Sequence, residues 1–193
     1  MGEITIETPD GPMPAAVTEP NGTPRGAVVV IQEAFGLTPH IVDITRRLAA
    51  EGWLAVAPAL FHRQGSPVFA YDDFESMFPV FKALTGDDVL TDVTATLEWT
   101  AARGFAENQT GMVGFCMGGT VALIASTTHE LGAAVTFYGG GVAESRFGFP
   151  PLIEAAPRLR SPWLGLYGDQ DKGIPVEDVE RLREASKRSI EFV

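Results

Sequence analysis

Short apolar runs alternate with amphipathic segments along most of the 193-residue chain. The apolar runs predict strands at residues 4–8, 14–18, 27–31, 53–57, 111–115, 134–138 and 163–167, with a further strand beginning at residue 189. Apolar residues at helical spacing predict helices over residues 41–50, 88–102, 120–125 and 176–187. Residues 61–85 are aromatic and irregular, and we predict no regular element there. Strands that alternate with helices predict an α/β fold with a mostly parallel central sheet.

The amino-acid composition is that of a single globular domain and makes some partners and cellular locations unexpected. Hydrophobic residues make up 45% of the chain, which is enough for one domain spanning residues 1–193. The net charge of −11 argues against nucleic acid or an anionic membrane as a partner. The acidic N-terminus has no signal-peptide core, and no apolar stretch is long enough to span a bilayer. A single cysteine cannot form an internal disulfide, so we expect a cytoplasmic protein.

No motif for a cofactor or a metal is present. The chain lacks the glycine patterns that bind nucleotide phosphates, and its cysteine and histidines are not at metal-ligand spacing. We therefore expect neither a cofactor nor a metal. The oligomeric state stays open at this point.

The segment GFCMGG at residues 114–119 has the pattern of a hydrolase nucleophile elbow with cysteine in place of serine. A predicted strand precedes it and a predicted helix follows it. Glycines flank the nucleophile because neighbouring Cβ atoms would clash in so sharp a turn. At the N-terminus of a helix, the dipole is expected to lower the pKa of the Cys116 thiol into a range of about 3.5–7.5. The alternative is a buried structural cysteine in an ordinary strand–helix turn.

Acidic side chains follow two other predicted strands. Glu33 comes after residues 27–31, and Asp169 and Asp171 come after residues 163–167. Functional groups in parallel sheets gather at the carboxyl ends of the strands. We therefore expect these carboxylates to lie near Cys116.

These features together resemble the dienelactone hydrolase family of α/β-hydrolases over residues 28–193. The resemblance is carried by QEAFG at residues 32–36, by the cysteine elbow, by Tyr138-Gly139, and by GDQDKGIP at residues 168–175. It implies the α/β-hydrolase fold, a Cys-His-Asp triad and hydrolysis of a small-molecule ester or lactone through a covalent acyl-enzyme.

The resemblance also implies roles for individual residues. Cys116 matches the nucleophile, and Asp171 matches the acid that orients the histidine, with Asp169 as the alternative. Glu33 matches a glutamate that contacts the resting thiol and moves when substrate binds. As alternatives, Glu33 could be a solvated loop carboxylate and Asp171 a turn residue.

The oxyanion hole is implied to be the backbone amides of Met117 and Ala34. In acyl transfer, the oxyanion is stabilised by the backbone N–H of the residue after the nucleophile and by a second N–H from the loop after an earlier strand.

The catalytic histidine is where the chain departs from the family. The resemblance places it after the last strand, beyond Val193. His40, His62 and His129 do not match it, and we expect them to be surface or helix-end residues. We therefore expect that the natural protein carries a further C-terminal strand and helix, and that this chain is acylated but turns over poorly. The absence of this C-terminal segment should also leave a sheet edge and an apolar face uncovered.

Substrate binding is less well defined by the sequence. Arg63 is a candidate anchor for a substrate carboxylate, and Phe35 and Tyr138 are further candidates at the ends of predicted strands. The aromatic residues between 61 and 81 could form an apolar pocket wall or pack in the core. Two other functions stay open: a non-catalytic binding protein with the same fold, and a thiol-based sensor that uses Cys116.

Overall fold

The computed structural model describes residues 2–187, which form one seven-stranded sheet with helices on both faces. The strands are β1 (Gly2–Thr8), β2 (Gly11–Thr18), β3 (Ala27–Ile31), β4 (Leu54–Pro58), β5 (Thr110–Phe115), β6 (Ala133–Phe137) and β7 (Trp163–Leu166). Their order in the sheet is β1-β2-β4-β3-β5-β6-β7. The pairs from β4 to β7 are parallel, whereas β1 and β2 form an antiparallel hairpin that also pairs antiparallel with β4. The predicted mostly parallel sheet is confirmed.

In the described chain, six α-helices connect or flank the strands. They are α1 (Pro39–Ala50), α2 (Phe74–Ala83), α3 (Gly86–Ala101), α4 (Met117–Ala125), α5 (Leu152–Ala155) and α6 (Val176–Ser186). Side chains cap three of these helices at their N-termini: Thr38 before α1, Asp73 before α2 and Thr85 before α3. The strand predicted to begin at residue 189 lies outside the described residues.

Helix α2 corrects the prediction that residues 61–85 are irregular. Asp73 accepts a hydrogen bond from the amide of Ser76 at 3.1 Å and so starts this helix. Met77 is its one buried residue, whereas Phe74 and Phe78 are at least half exposed. Because aromatic residues lie on its exposed face, the helix has no clear amphipathic period in the sequence.

Alternate residues of the central strands pack in two separate hydrophobic cores, one on each face of the sheet. Val29 and Ile31 pack in the core beneath α3, α4, α5 and α6. Val28 and Val30 point to the other face, where they pack with α1. Strands buried on both faces read as continuous apolar runs, which is why β3 was visible in the sequence.

Apolar side chains are exposed at the β7 end of the sheet. Within residues 2–187, β7 is one of the two edge strands, and Leu164 and Leu166 are exposed on it. They line an open apolar groove of about 1100 Å³ on the α1 face, together with Val113, Val135 and Phe137. The expectation of an uncovered sheet edge and apolar face depends on the chain after residue 187, which lies outside the described residues, and it stays a prediction. No helix among these residues has both the length and the apolar character to cross a bilayer.

Candidate active site

Cys116 lies at the tip of a sharp turn between β5 and α4. Its backbone has φ 54° and ψ −117°, a conformation that a residue with a side chain rarely adopts. A Cβ atom on Gly114 would collide with the carbonyl group of Gly118, and one on Gly118 would lie 2.5 Å from the carbonyl oxygen of Ile31. The predicted strand–turn–helix geometry and its need for glycines are confirmed.

Two backbone amides point at the sulfur of Cys116. The N–H groups of Met117 and Ala34 both donate hydrogen bonds to the ionised thiol, and both lower its pKa. Met117 begins α4, and Ala34 lies in the loop after β3. The two amides meet because β3 and β5 are parallel neighbours, with Ile31 opposite Gly114. This is the arrangement that the expected oxyanion hole requires.

The pKa of the Cys116 thiol is raised, contrary to the expectation from its place at a helix N-terminus. Burial is the largest cause, because an apolar environment disfavours the thiolate. The negative charge of Glu33 raises it further, whereas the two amides and the positive charge of Arg146 lower it. The helix terminus therefore does not outweigh burial, and the resting sulfur is a neutral thiol at neutral pH.

Glu33 is held beside this thiol by two tyrosines. The hydroxyl of Tyr71 donates to one carboxylate oxygen at 2.8 Å, and that of Tyr138 donates to the other at 3.2 Å. Phe35 packs edge-on against Tyr71, with ring centroids 4.9 Å apart. Glu33 is thus a fixed, partly buried carboxylate rather than a freely solvated one.

A cavity of about 210 Å³ opens at the thiol. Cys116, Tyr138 and Asp171 line it, so the structure brings the thiol and one of the two candidate acids together. Asp171 is exposed and accepts a hydrogen bond from the amide of Gly173 at 2.8 Å. Asp169 does not line the cavity, which favours Asp171 as the acid.

Arg63 lies outside the cavity of Cys116, and its guanidinium is already paired with two carboxylates. Its guanidinium binds the fully buried carboxylate of Asp92 at 2.8 and 3.0 Å, and that of Asp10 at 2.6 Å. It does not line the cavity of Cys116. The structure therefore gives no support to Arg63 as a substrate anchor. Phe35 also lies outside the cavity lining, where it packs against Tyr71.

None of the three histidines lines the cavity of Cys116. His40 is exposed at the start of α1, as expected. His129 ends the segment after α4, where its Nδ1 lies 2.8 Å from a carboxylate oxygen of Glu107. His62 begins a short 3₁₀ helix, His62–Gln64, but its side chain is only 3% exposed, and its Nε2 lies 3.1 Å from a carboxylate oxygen of buried Asp92. Within residues 2–187 there is also no cluster of acidic, cysteine or histidine side chains that could hold a metal ion.

Sequence reasoning missed three residues of the site. Tyr71 was treated as one member of an aromatic stretch, and Arg146 and Phe147 were not noticed at all. Arg146 and Phe147 lie in the loop between β6 and α5, and both line the cavity. The run of glycines at residues 139–141 was the available signal, because it indicates a close approach of backbone to other groups.

The larger apolar groove of the protein is not the candidate active site. The apolar groove on the α1 face includes none of the candidate residues in its lining. The smaller cavity at Cys116 is therefore the candidate active site, because its lining combines a thiol, a carboxylate and a cation.

Comparisons with known proteins identify the family to which the chain is similar. A model of the dienelactone hydrolase family matches residues 13–192. A Yersinia pestis protein named "Putative carboxymethylenebutenolidase" is 38% identical over 188 residues, which cover 95% of this chain and 70% of that protein. A crystal structure described as a "Putative Dienelactone Hydrolase" from Klebsiella pneumoniae superposes with a TM-score of 0.87 at 35% identity, covering 97% of this chain and 80% of the other. An α/β serine hydrolase of Xanthomonas campestris superposes with a TM-score of 0.66 at 21% identity, over 97% and 80% of the two chains, and shows the fold alone.

Proposed function

The chain belongs to the dienelactone hydrolase family of α/β-hydrolases, and we propose that it hydrolyses carboxylic esters or lactones through Cys116. The observation that carries the proposal is the pair of amides, Met117 and Ala34, aimed at the sulfur of a strained elbow residue. Donors in this position bind the oxyanion that forms when a nucleophile attacks a carbonyl group. The name of the Yersinia pestis relative supports a lactone as one kind of substrate.

In the first step the sulfur attacks the carbonyl carbon of the substrate. A carbon–sulfur bond forms, and the carbonyl oxygen becomes an oxyanion that takes the place of the sulfur between the two amides. The carbon–oxygen bond of the ester then breaks, which leaves a thioester on Cys116 and an alkoxide leaving group. In a lactone the leaving oxygen stays attached to the same molecule.

The proton of the thiol must leave as the sulfur attacks. Glu33 is placed to accept it, because its charge acts directly on the thiol and its carboxylate is fixed by Tyr71 and Tyr138. Protonated Glu33 can then return the proton to the alkoxide. Because burial keeps the resting thiol neutral, the nucleophile forms only when this transfer takes place.

Release of the acyl group needs a water molecule and a base to activate it. No histidine of the described chain lines the cavity, and Asp171 there has no imidazole to orient. We therefore expect this chain to be acylated quickly by activated esters and to release the acyl group slowly.

A stopped-flow experiment with p-nitrophenyl acetate tests the proposal. The wild-type chain should release one equivalent of p-nitrophenolate in a burst, followed by a much slower steady rate. Cys116→Ala should show no burst, whereas a substitution at an exposed residue outside the cavity lining, such as Arg181→Gln, should keep it. A burst of equal size in Cys116→Ala would refute the assignment of the nucleophile.

A further inference from the structure

Tyr138 connects Glu33 to the cavity of the thiol. Glu33 itself does not line this cavity, whereas Tyr138 does. The hydroxyl of Tyr138 donates a hydrogen bond to Oε1 of Glu33 at 3.2 Å, and the charge of Glu33 acts on the thiol of Cys116. The other oxygen of Glu33 accepts from Tyr71, which does not line the cavity. A proton taken up by Glu33 therefore has a direct hydrogen-bonded route into the cavity through Tyr138.

The backbone holds Tyr138 in this position under strain. Its φ of 41° lies in the left-handed region, which is unfavourable for a residue with a side chain. Its N–H donates to the carbonyl oxygen of Leu166 at 2.8 Å, and its ring centroid lies 6.4 Å from that of Phe115. The loop that Tyr138 begins is tied to α4, because the hydroxyl of Thr120 donates to the carbonyl oxygen of Gly140 at 2.8 Å. The phenol is thus fixed beside the elbow.

Among the described residues that line the cavity, Tyr138 is the one best suited to give a proton to an alkoxide. The hydroxyl of Thr120 already donates to a backbone carbonyl, the guanidinium of Arg146 does not lose its proton in proteins, and the carboxylate of Asp171 is an acceptor. Burial first, and then the charge of Glu33, raise the pKa of Tyr138, so its phenol is protonated at neutral pH. Such a weak acid gives up its proton to a strong base when another proton replaces it.

From this placement we infer that Tyr138 is the general acid that protonates the leaving group, and that Glu33 supplies it with the proton taken from Cys116. This inference rests on the proposed function and adds a catalytic residue to it. As the carbon–oxygen bond breaks, its electron pair stays on the leaving oxygen, which takes the proton of the Tyr138 hydroxyl. The phenolate oxygen takes the proton held by Glu33, which becomes a carboxylate again. The thiol proton thus ends on the alcohol, and Tyr138 and Glu33 regain their starting forms.

Two esters whose leaving groups differ in basicity test the inference. p-Nitrophenyl acetate and trifluoroethyl acetate place the same acetyl group on Cys116. The p-nitrophenolate ion leaves without a proton, whereas trifluoroethoxide is a much stronger base and needs one. Acylation rates with both esters are followed by intact-mass spectrometry of the chain. We expect Tyr138→Phe to lower the ratio of the trifluoroethyl rate to the p-nitrophenyl rate about a hundredfold, the contribution of a positioned general acid.

Tyr71→Phe is the matched control, because Tyr71 also holds Glu33 but does not line the cavity. This variant loosens the carboxylate without removing the acid, so it should slow both esters by the same factor and leave the ratio unchanged. If Tyr138→Phe lowers the ratio no more than Tyr71→Phe does, Tyr138 only positions Glu33 and the inference is wrong. In that case acetylation of Cys116 by p-nitrophenyl acetate still supports the proposed function, whereas a wild-type chain that neither ester acetylates at Cys116 would refute both.

A solvent isotope effect gives a second measurement that needs no variant. In the wild-type chain, proton transfer to the leaving oxygen accompanies bond cleavage only when the leaving group is a strong base. Acylation by trifluoroethyl acetate should therefore slow more in deuterium oxide than acylation by p-nitrophenyl acetate. Equal isotope effects with the two esters would also overturn the inference.

Discussion

The hydroxyl of Tyr71 donates a 2.8 Å hydrogen bond to Oε2 of Glu33, and this contact joins the loop before α2 to the loop after β3. Burial raises the pKa of Tyr71, and its contact with Glu33 adds to the effect, so the phenol stays protonated and remains a donor through neutral and moderately alkaline pH. Glu33, whose carboxylate acts on Cys116, is therefore positioned by Tyr71, although Tyr71 does not line the cavity.

Removing this hydroxyl should slow the reaction. A hydrogen bond to a charged group is worth about 1.5–3 kcal/mol, so a loosely held carboxylate in Tyr71→Phe should reduce the acylation rate by roughly tenfold or more. The burst rate with p-nitrophenyl acetate measures this. Tyr167→Phe is the matched control, because its buried hydroxyl has no hydrogen-bond partner in the described chain. Equal burst rates in the two variants would show that Tyr71 does not position Glu33.

The charge of Glu33 should be visible in the titration of the thiol. Burial first, and then the negative charge of Glu33, hold the pKa of Cys116 above its ordinary value. Glu33→Gln removes that charge, so the pKa of the thiol should fall and the rate of alkylation by iodoacetamide should rise at a lower pH than in wild type. An unchanged or higher midpoint of the rate–pH profile would show that Glu33 does not act on the sulfur.

The elbow should not tolerate a side chain at Gly118. A Cβ atom there would lie 2.5 Å from the backbone oxygen of Ile31, whereas one on Gly111 in the same strand–turn–helix unit would have its nearest neighbour at 3.7 Å. Overpacking against backbone costs about 1–3 kcal/mol or more. We expect urea unfolding to show Gly118→Ala destabilised by at least about 2 kcal/mol and Gly111→Ala by less than about 1 kcal/mol. Similar losses in both variants would argue against the close approach of β3 and α4.

We expect Asp92 to contribute to the stability of the fold and not to catalysis. Its carboxylate is fully buried and binds both Arg63 and His62. Removing one partner of a buried pair costs about 3–5 kcal/mol because the other charge is left uncompensated. Asp92→Asn should therefore lower the free energy of unfolding by roughly 3 kcal/mol. Asp88→Asn, whose partly exposed carboxylate lies 3.9 Å from Arg63, should cost less than about 1 kcal/mol. A small loss in Asp92→Asn would mean that the network adds little to stability.

The sheet and the position of Cys116 at the strand–helix turn could be predicted because the sequence encodes them locally. A strand buried on both faces must be apolar throughout, so β3 and β4 stand out from their surroundings. The elbow needs glycine around Cys116 for steric reasons that are also local. Once the strands were known to be parallel, Glu33 and Cys116 had to lie at the same edge of the sheet.

The rest of the site could not be predicted, because it depends on long-range packing. Tyr71 and Arg146 lie in loops, where no periodicity indicates which way a side chain points. The burial of the His62 side chain could not be predicted, because its partner Asp92 lies on a helix 30 residues away along the chain. The pKa of Cys116 was misjudged for the same reason, since burial of the sulfur depends on the whole fold and outweighs the local helix terminus.

Mass spectrometry of the acylated chain shows directly whether Cys116 carries the acyl group. After brief exposure to p-nitrophenyl acetate and digestion at low pH, we predict one acetyl group, on the peptide that contains Cys116, and its release by neutral hydroxylamine as expected for a thioester. An acetyl group on another residue, or an unmodified Cys116 in a chain that still hydrolyses the ester, would show that Cys116 is not the nucleophile.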